Sequence, residues 1–328
     1  MKFLFIGDPH IKQDNSDEVD ILINEIDRVY KEETPDYIVV GGDVMHYHER
    51  LYTQSLNKSL EFFKKLTSLT YTYVLVGNHD YINNSEFLTE NHWMNSLKNW
   101  DNIKIVDKVI NESFYMLCPY VYPGRFVEAL ETECKDWESK KLVFAHQEFK
   151  GCKMGAIVST IGDDWKETYP FVVSGHIHDN QQIGSNILYP GTPLQHSFGD
   201  SDKRVLCLIE FENELKIKEI PLNVPRKRII KANLEDINSF DIKSVDENTK
   251  IKLDVTTEEF KLFKETSNYK QLLKKGVKIQ IQKKKDSKNI NDEVSSNKDV
   301  DFIGTLKELI KDEEETLKKL FNDIIYSL

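Results

Sequence analysis

At 328 residues, 39% hydrophobic and 30% charged, the chain is long enough for one large domain with appendages. No apolar stretch approaches the roughly 18 residues that a membrane span needs, and Met1-Lys2 runs straight into an apolar segment, which leaves no room for a secretory leader. A net charge of −11 argues against a passive nucleic-acid binder, since such proteins carry a basic face. The four cysteines (Cys118, Cys134, Cys152, Cys207) show no C-x-x-C spacing and read as reduced thiols in a cytoplasmic setting.

Taken in order, five apolar runs each end in a side chain able to bind a metal. Lys2-Phe3-Leu4-Phe5-Ile6 leads into Gly7-Asp8-Pro9-His10, and Ile38-Val39-Val40 into Gly41-Gly42-Asp43-Val44-Met45-His46. Tyr73-Val74-Leu75-Val76 leads into Gly77-Asn78-His79-Asp80, Leu142-Val143-Phe144 into Ala145-His146, and Phe171-Val172-Val173 into Ser174-Gly175-His176-Ile177-His178. Continuous apolar runs of this length fit buried strands, and open α/β sheets gather ligands beyond the carboxyl ends of their strands. A single Asp in such a place is most simply a turn or cap. Five such ends, with six of the nine histidines in or beside them, point to a metal centre. Imidazole with carboxylate suits Mn, Fe or Zn, and Asp43 on the central strand end is the natural bridge between two ions.

Between the runs, Asp17 to Tyr30 and Leu51 to Leu69 repeat apolar residues at helical spacing. Strand, helix, strand, helix, strand gives a βαβ rhythm with right-handed crossovers. From about 103 the strands shorten, with a helix near Arg125 to Cys134, and Arg204 to Phe211 pairs with Leu215 to Ile220 through a turn at Glu212-Asn213. Residues 226–285 hold a strand at Lys250 to Val255, a helix at Thr257 to Lys274 and a strand at Val277 to Ile281. Residues 286–300 are polar and read as a linker. Residues 301–328 read as one more amphipathic helix, with Leu306, Leu309, Ile310, Leu317, Leu320, Phe321, Ile324 and Leu328 at the spacing of one stripe.

D-x-H, G-D, G-N-H-D, a lone His after a strand, and G-H-x-H, in that order, resemble the calcineurin-like metallophosphoesterases. The His three residues after Asp43 resembles the nuclease branch, and Tyr189-Pro190-Gly191-Thr192-Pro193 with Ser197-Phe198-Gly199-Asp200 is similar to the Y-P-G-S…S-F-G-E segment of the SbcD-type DNA-repair nucleases. Thr192 for Ser and Asp200 for Glu are mild departures. The resemblance covers residues 1–222 and implies a four-layer α/β sandwich of two mixed sheets flanked by helices, with residues 226–285 as a small α/β cap that helps position DNA. It also implies two Mn²⁺ ions, one held by Asp8, His10, Asp43 and His178 and the other by Asp43, Asn78, His146 and His176, with a metal-activated hydroxide as nucleophile. On an extended segment the His79 ring would point away from the ligand Asn78, as a donor to the phosphate or leaving oxygen. Asp80 is placed to orient an imidazole, His46 to meet the substrate phosphate or ribose. His196 has no assigned role, and His92, beside Trp93, reads as packing.

Three functions fit these residues. The first is a Mn-dependent DNA exo/endonuclease working with an SbcC-like ATPase, which would bind the last helix, and forming a homodimer through the helices after Asp17 and Leu51. The second is a small-molecule phosphodiesterase or nucleotidase with the same metals, the third a non-catalytic scaffold. The cap and final helix, superfluous for a small substrate, favour the first. The compact cap and short terminal helix look most like phage or viral versions of that subunit.

Overall fold

The early strands carry apolar residues on both faces, so each needs cover on two sides, and the layering follows from that. The computed structural model describes residues 1–238 and 242–283. Strands β1 (Lys2–Ile6), β2 (Tyr37–Val40), β3 (Tyr71–Leu75) and β4 (Ile103–Val106) alternate at first with helices α1 (Ser16–Glu33) and α2 (Thr53–Leu69). There follow β5 (Ile110–Asn111), β6 (Tyr115–Cys118), α3 (Phe126–Glu133), β7 (Leu142–His146) and a hairpin of β8 (Lys153–Met154) with β9 (Ile157–Val158). Next come β10 (Phe171–Gly175), β11 (Gln181–Ile183), β12 (Ile187–Tyr189), β13 (Val205–Phe211) and β14 (Leu215–Pro221).

Two six-stranded sheets result, ordered β14-β13-β1-β2-β3-β4 and β11-β12-β10-β7-β6-β5. Alternation along β1 shows how they stack. Phe3 and Phe5 enter the core between the sheets with Val39, Leu75, Phe144 and Val173, while Leu4 and Ile6 pack beneath the helices against Val19, Leu22, Ile26 and Phe63. The outer face of the second sheet packs Val143 and Val172 against Phe126, Leu130 and Trp137. Helix, sheet, sheet, helix is the mixed α/β architecture expected from the motifs. Burying each such Phe or Leu contributes about 1.5–3 kcal/mol, so the sandwich is a stiff platform for whatever stands on its edge.

The remaining described elements are β15 (Arg228–Ala232), α4 (Leu234–Asn238), β16 (Thr249–Val255), α5 (Thr257–Glu265), α6 (Ser267–Lys274) and β17 (Lys278–Lys283). The strands form a separate sheet, β15-β16-β17, over a core that includes Ile251, Leu253, Val255, Phe263 and Leu272. Two features differ from the sequence expectation. Thr257 to Lys274 is two helices, because Thr266 is extended (φ −73°, ψ 154°) and its hydroxyl accepts from the Tyr269 N–H, ending one helix and capping the next. And β15 is a strand although its two isoleucines stand among Arg228 and Lys231, too short an apolar run to register. The expected linker (286–300) and terminal helix (301–328) lie outside the described residues.

Candidate metal centre

β1, β2 and β3 run parallel and in register, so the residues just past them fall on one edge of the first sheet. In the second sheet Gly175 pairs with His146, which brings the ends of β10 and β7 together. The structure thereby gathers all seven expected ligands. His10 Nε2 lies 3.0 Å from His178 Nε2, and with Asp8 these form a group whose donor atoms all lie within 4.8 Å of one another. Asp43, His146 and His176 form another. Asn78 closes it, its Oδ1 2.9 Å from His176 Nδ1 and 3.1 Å from His146 Nε2. Asp43 stands between the two groups, with Oδ2 3.7 Å from His10 Nε2 and Oδ1 3.4 Å from His146 Nε2.

The backbone is bent to make this possible. His10 (φ 44°), Asp43 (φ 48°) and His176 (φ 79°) are non-glycine residues at positive φ, a strain found mainly where surroundings and function impose it. Two glycines make room. A Cβ on Gly77 would lie 2.2 Å from Asp43 Oδ1, and one on Gly42, itself at φ +102°, 2.5 Å from His146 Nδ1. Hydrogen bonds then aim the donors. His146 Nδ1 meets the Gly41 carbonyl at 2.6 Å, which turns Nε2 inward. Asp8 Oδ2 accepts from the His176 N–H and Asp43 Oδ1 from the His79 N–H, both at 2.8 Å.

The donor set fits divalent cations. Two imidazole nitrogens 3.0 Å apart repel unless a proton or cation joins them, and Asp8 Oδ1 and His10 Nδ1 are buried without a hydrogen-bond partner. Burial pushes the Asp8 carboxyl up to about 8, reinforced by the Asp43 charge against the pull of His146. Burial would raise Asp43 too, but His146 holds it well below the carboxylate range. Against its own burial, His146 is raised to about 9 by Asp43 and Asp8, while burial, aided by His146, takes His176 down to about 3. A proton on His146 thus balances carboxylate charge that metal cations would neutralise, freeing the ring as a neutral ligand. Four imidazoles, two carboxylates and an amide are donors suited to transition metals rather than to Ca²⁺.

The family model for calcineurin-like phosphoesterases matches residues 1–180. The chain belongs to that family. It is 44% identical over 286 residues to a protein of Invertebrate iridescent virus 3 named as a phosphoesterase, 078R, covering 84% of this chain and 82% of the relative. A second, 244L of Invertebrate iridescent virus 6, is 44% identical over 276 residues, 80% of this chain and 97% of the relative. Among solved structures, the phosphoesterase Yfce of E. coli aligns with 68% of this chain and 100% of its own at 11% identity and a TM-score of 0.33.

Around the ligands of this phosphoesterase the other expected residues fall less simply. Gly77 to Asp80 is a turn, closed by the Asp80 N–H on the Gly77 carbonyl at 3.1 Å, and not the extended segment that would have pointed His79 away. The turn puts His79 Nε2 4.0 Å from Asp43 Oδ2, and His10, Asp43 and His79 form a third group with donor atoms within 4.8 Å. Asp80 makes no hydrogen bond or ion pair with an imidazole among the described residues. Its carboxylate accepts from the Val44 N–H (3.1 Å), the Gly77 N–H (3.1 Å) and the Trp93 indole (2.9 Å), so it ties the β2 loop to the β3 loop. His46 lies edge-on to His10 at 5.3 Å between centroids, with its carbonyl 2.5 Å from His79 Nδ1.

Three neighbours had no sequence signal as site residues. His196 packs 4.8 Å from the His10 ring and 5.6 Å from His178, with both ring nitrogens buried and unpartnered. His48 stacks on His79 at 4.0 Å, and Glu148 Oε2 lies 4.0 Å from His176 Nε2. All three come from loops, where no apolar run announces position. His92 lies elsewhere, accepting from the Met94 N–H and meeting Asp107 at 3.2 Å.

Proposed function

We propose that this metal-dependent phosphoesterase is a DNA nuclease, cutting phosphodiester bonds with two divalent cations, Mn²⁺ preferred, as the nuclease subunit of an SbcCD-like complex. The observation that carries the metal chemistry is Asp43, whose two oxygens face different ligand groups. Asp8, His10, Asp43 and His178 would hold one ion, and Asp43, Asn78, His146 and His176 the other. The ions would supply Lewis acidity and an activated water. His79 donates from Nδ1 to the His46 carbonyl, which directs Nε2 toward Asp43; with Nε2 also protonated, the ring donates to a phosphate or leaving oxygen. His46 meets the neighbouring phosphate or sugar, and Asp80 holds the two loops that carry Asp43 and Asn78.

A cleft of about 650 Å³ supports a polyanionic substrate despite the acidic whole. It runs from His196 along Lys12 and Lys227 to Lys250, Lys252 and Lys278 on the outer face of the small sheet. Glu247 also lines the cleft, but Lys227 is tied to Glu18 at 2.8 Å and Lys12 to Asp14 at 3.5 Å, and among the described residues the three sheet lysines have no ion-pair partner that competes with phosphate. The competing reading, a small-molecule phosphodiesterase or nucleotidase, has no use for that cleft. Chelated protein given back Mn²⁺ or Mg²⁺ should cut linear DNA, faster with Mn²⁺, and leave cyclic nucleotides largely intact. Full activity in Mg²⁺ alone, or preference for the cyclic nucleotide, overturns the proposal.

The partner proposal rests on the apolar stripe of residues 301–328. Removing 284–328 should leave a metal-loaded nuclease that no longer binds the ATPase. Continued co-purification would exclude that docking site. A cytoplasmic homodimer joined through α1 and α2 completes the proposal, and sedimentation of the purified chain tests the dimer.

A further inference from the structure

The hairpin of β8 and β9 carries its apolar residues on the outside. Met154 is 40% exposed, Ile157 66%, Val158 51% and Ile161, just beyond, 70%. Yet the base of the hairpin is fastened. Gln181 accepts the Lys153 N–H and donates to the Lys153 carbonyl, both at 2.8 Å. Opposite, the Ser159 N–H meets the Cys152 carbonyl at 2.8 Å and its hydroxyl bonds Glu148. Met154 and Ile157 are cross-strand partners and therefore share one face. A fixed support presenting a bare apolar face is a recognition surface more often than an accident.

What that surface faces decides its ligand. A cleft of about 430 Å³ is lined by Met154 and Gly155 of the hairpin, by Gly199 and Asp200, and by the metal-centre residues His176 and His178. A phosphate held by those histidines brings its substituent into the cleft. An apolar wall is of no use to an inorganic phosphate or a bare sugar. A nucleobase offers a flat apolar face, and a thioether packs well on an aromatic ring.

We propose, resting on the nuclease reading above, that this cleft is a nucleobase subsite. The base attached through the phosphate at the metal centre leaves its stack and lies against Met154, the hairpin's apolar side chain in the cleft. Unpairing costs a few kcal/mol and least where a base is already loose, so the subsite selects terminal nucleotides over internal ones.

The test uses the full chain loaded with Mn²⁺ and duplexes whose terminal nucleotide, at each strand end in turn, is either normal or an abasic tetrahydrofuran analogue. The native protein should remove the normal nucleotide about tenfold faster than the abasic one, within the range that stacking one base contributes. Met154→Ala should remove both at the same rate. The Met154 side chain is exposed, so no cavity is left, and Met154→Gln gives a second variant of equal length whose preference should also shrink. A native protein indifferent to the missing base, or a Met154→Ala variant that keeps the preference, overturns the subsite. Should neither duplex be cut while bis(p-nitrophenyl) phosphate is hydrolysed, the nuclease reading falls and the subsite with it.

Discussion

Four adjacent strands of the first sheet end in a polar side chain, and they do not end alike. Asp8, Asp43 and Asn78 follow β1, β2 and β3, while Asp107 follows β4 at the same edge. Asp107 is fully answered from within the protein, by His92 Nε2 at 3.2 Å and Lys98 Nζ at 2.6 Å. Asp8 and Asp43 face each other beside His10 and His176, whose imidazoles burial pushes toward neutrality, and Asp8 Oδ1 has no hydrogen-bond partner. A strand end supplies a place for a carboxylate, and its neighbours decide what the carboxylate is for. Asp107 is complete without a ligand, whereas Asp8 and Asp43 are complete only with one.

Removing Asp43 should break this comparison hardest. Asp43→Ala deletes the carboxylate shared by both ligand groups, so both ions should be lost together. Activity should fall at least about 10³-fold, beyond the 10–100-fold typical when only an outer partner of a metal ligand is removed. Elemental analysis beside a hydrolysis assay decides it. A variant that keeps both metals excludes Asp43 as the bridge.

His79 sharpens the contrast, because its geometry allows a ligand as well as a donor. If it donates, His79→Ala should hold its metal near the native level yet lose about 10²–10⁴-fold in turnover. A metal-poor His79→Ala protein would make it a ligand.

The strand ends were legible in the sequence because an apolar run leads into a donor, through a glycine in every case but His146, and sheet geometry does the gathering. The layers were legible for a related reason, since runs such as Phe3-Leu4-Phe5-Ile6 are apolar on both faces and need double cover. His196, Glu148 and the β8–β9 hairpin were not, because their loops are placed by contacts distant in the chain, Gln181 on Lys153 among them. The partners of Asp80 were not legible, for a local reason. The turn at Gly77 points its carboxylate at backbone N–H groups, a target that no spacing of imidazoles reveals.

The smallest effect belongs to Asp107, and it should appear in stability. Burial would raise its carboxyl, but the hydrogen bond from His92 and the Lys98 ammonium hold it down at about 2. The folded pKa lies below the unfolded one, near 3.9, so the stabilisation is fully present above about pH 4 and is lost as pH falls toward 2. A depression of this size in a side chain only 10% exposed is worth about 2 kcal/mol. Asp107→Asn should therefore lower Tm near neutrality by about 4–8 °C in a domain of this size, with metal content and phosphoester hydrolysis unchanged at 25 °C. Urea midpoints at pH 7, 4 and 3 should show the gap between native and variant holding to pH 4 and narrowing by pH 3. A gap that stays constant at pH 3 would mean that the Asp107 charge contributes nothing, and a variant that loses metal would move Asp107 from the self-sufficient side of the sheet edge to the side that needs a ligand.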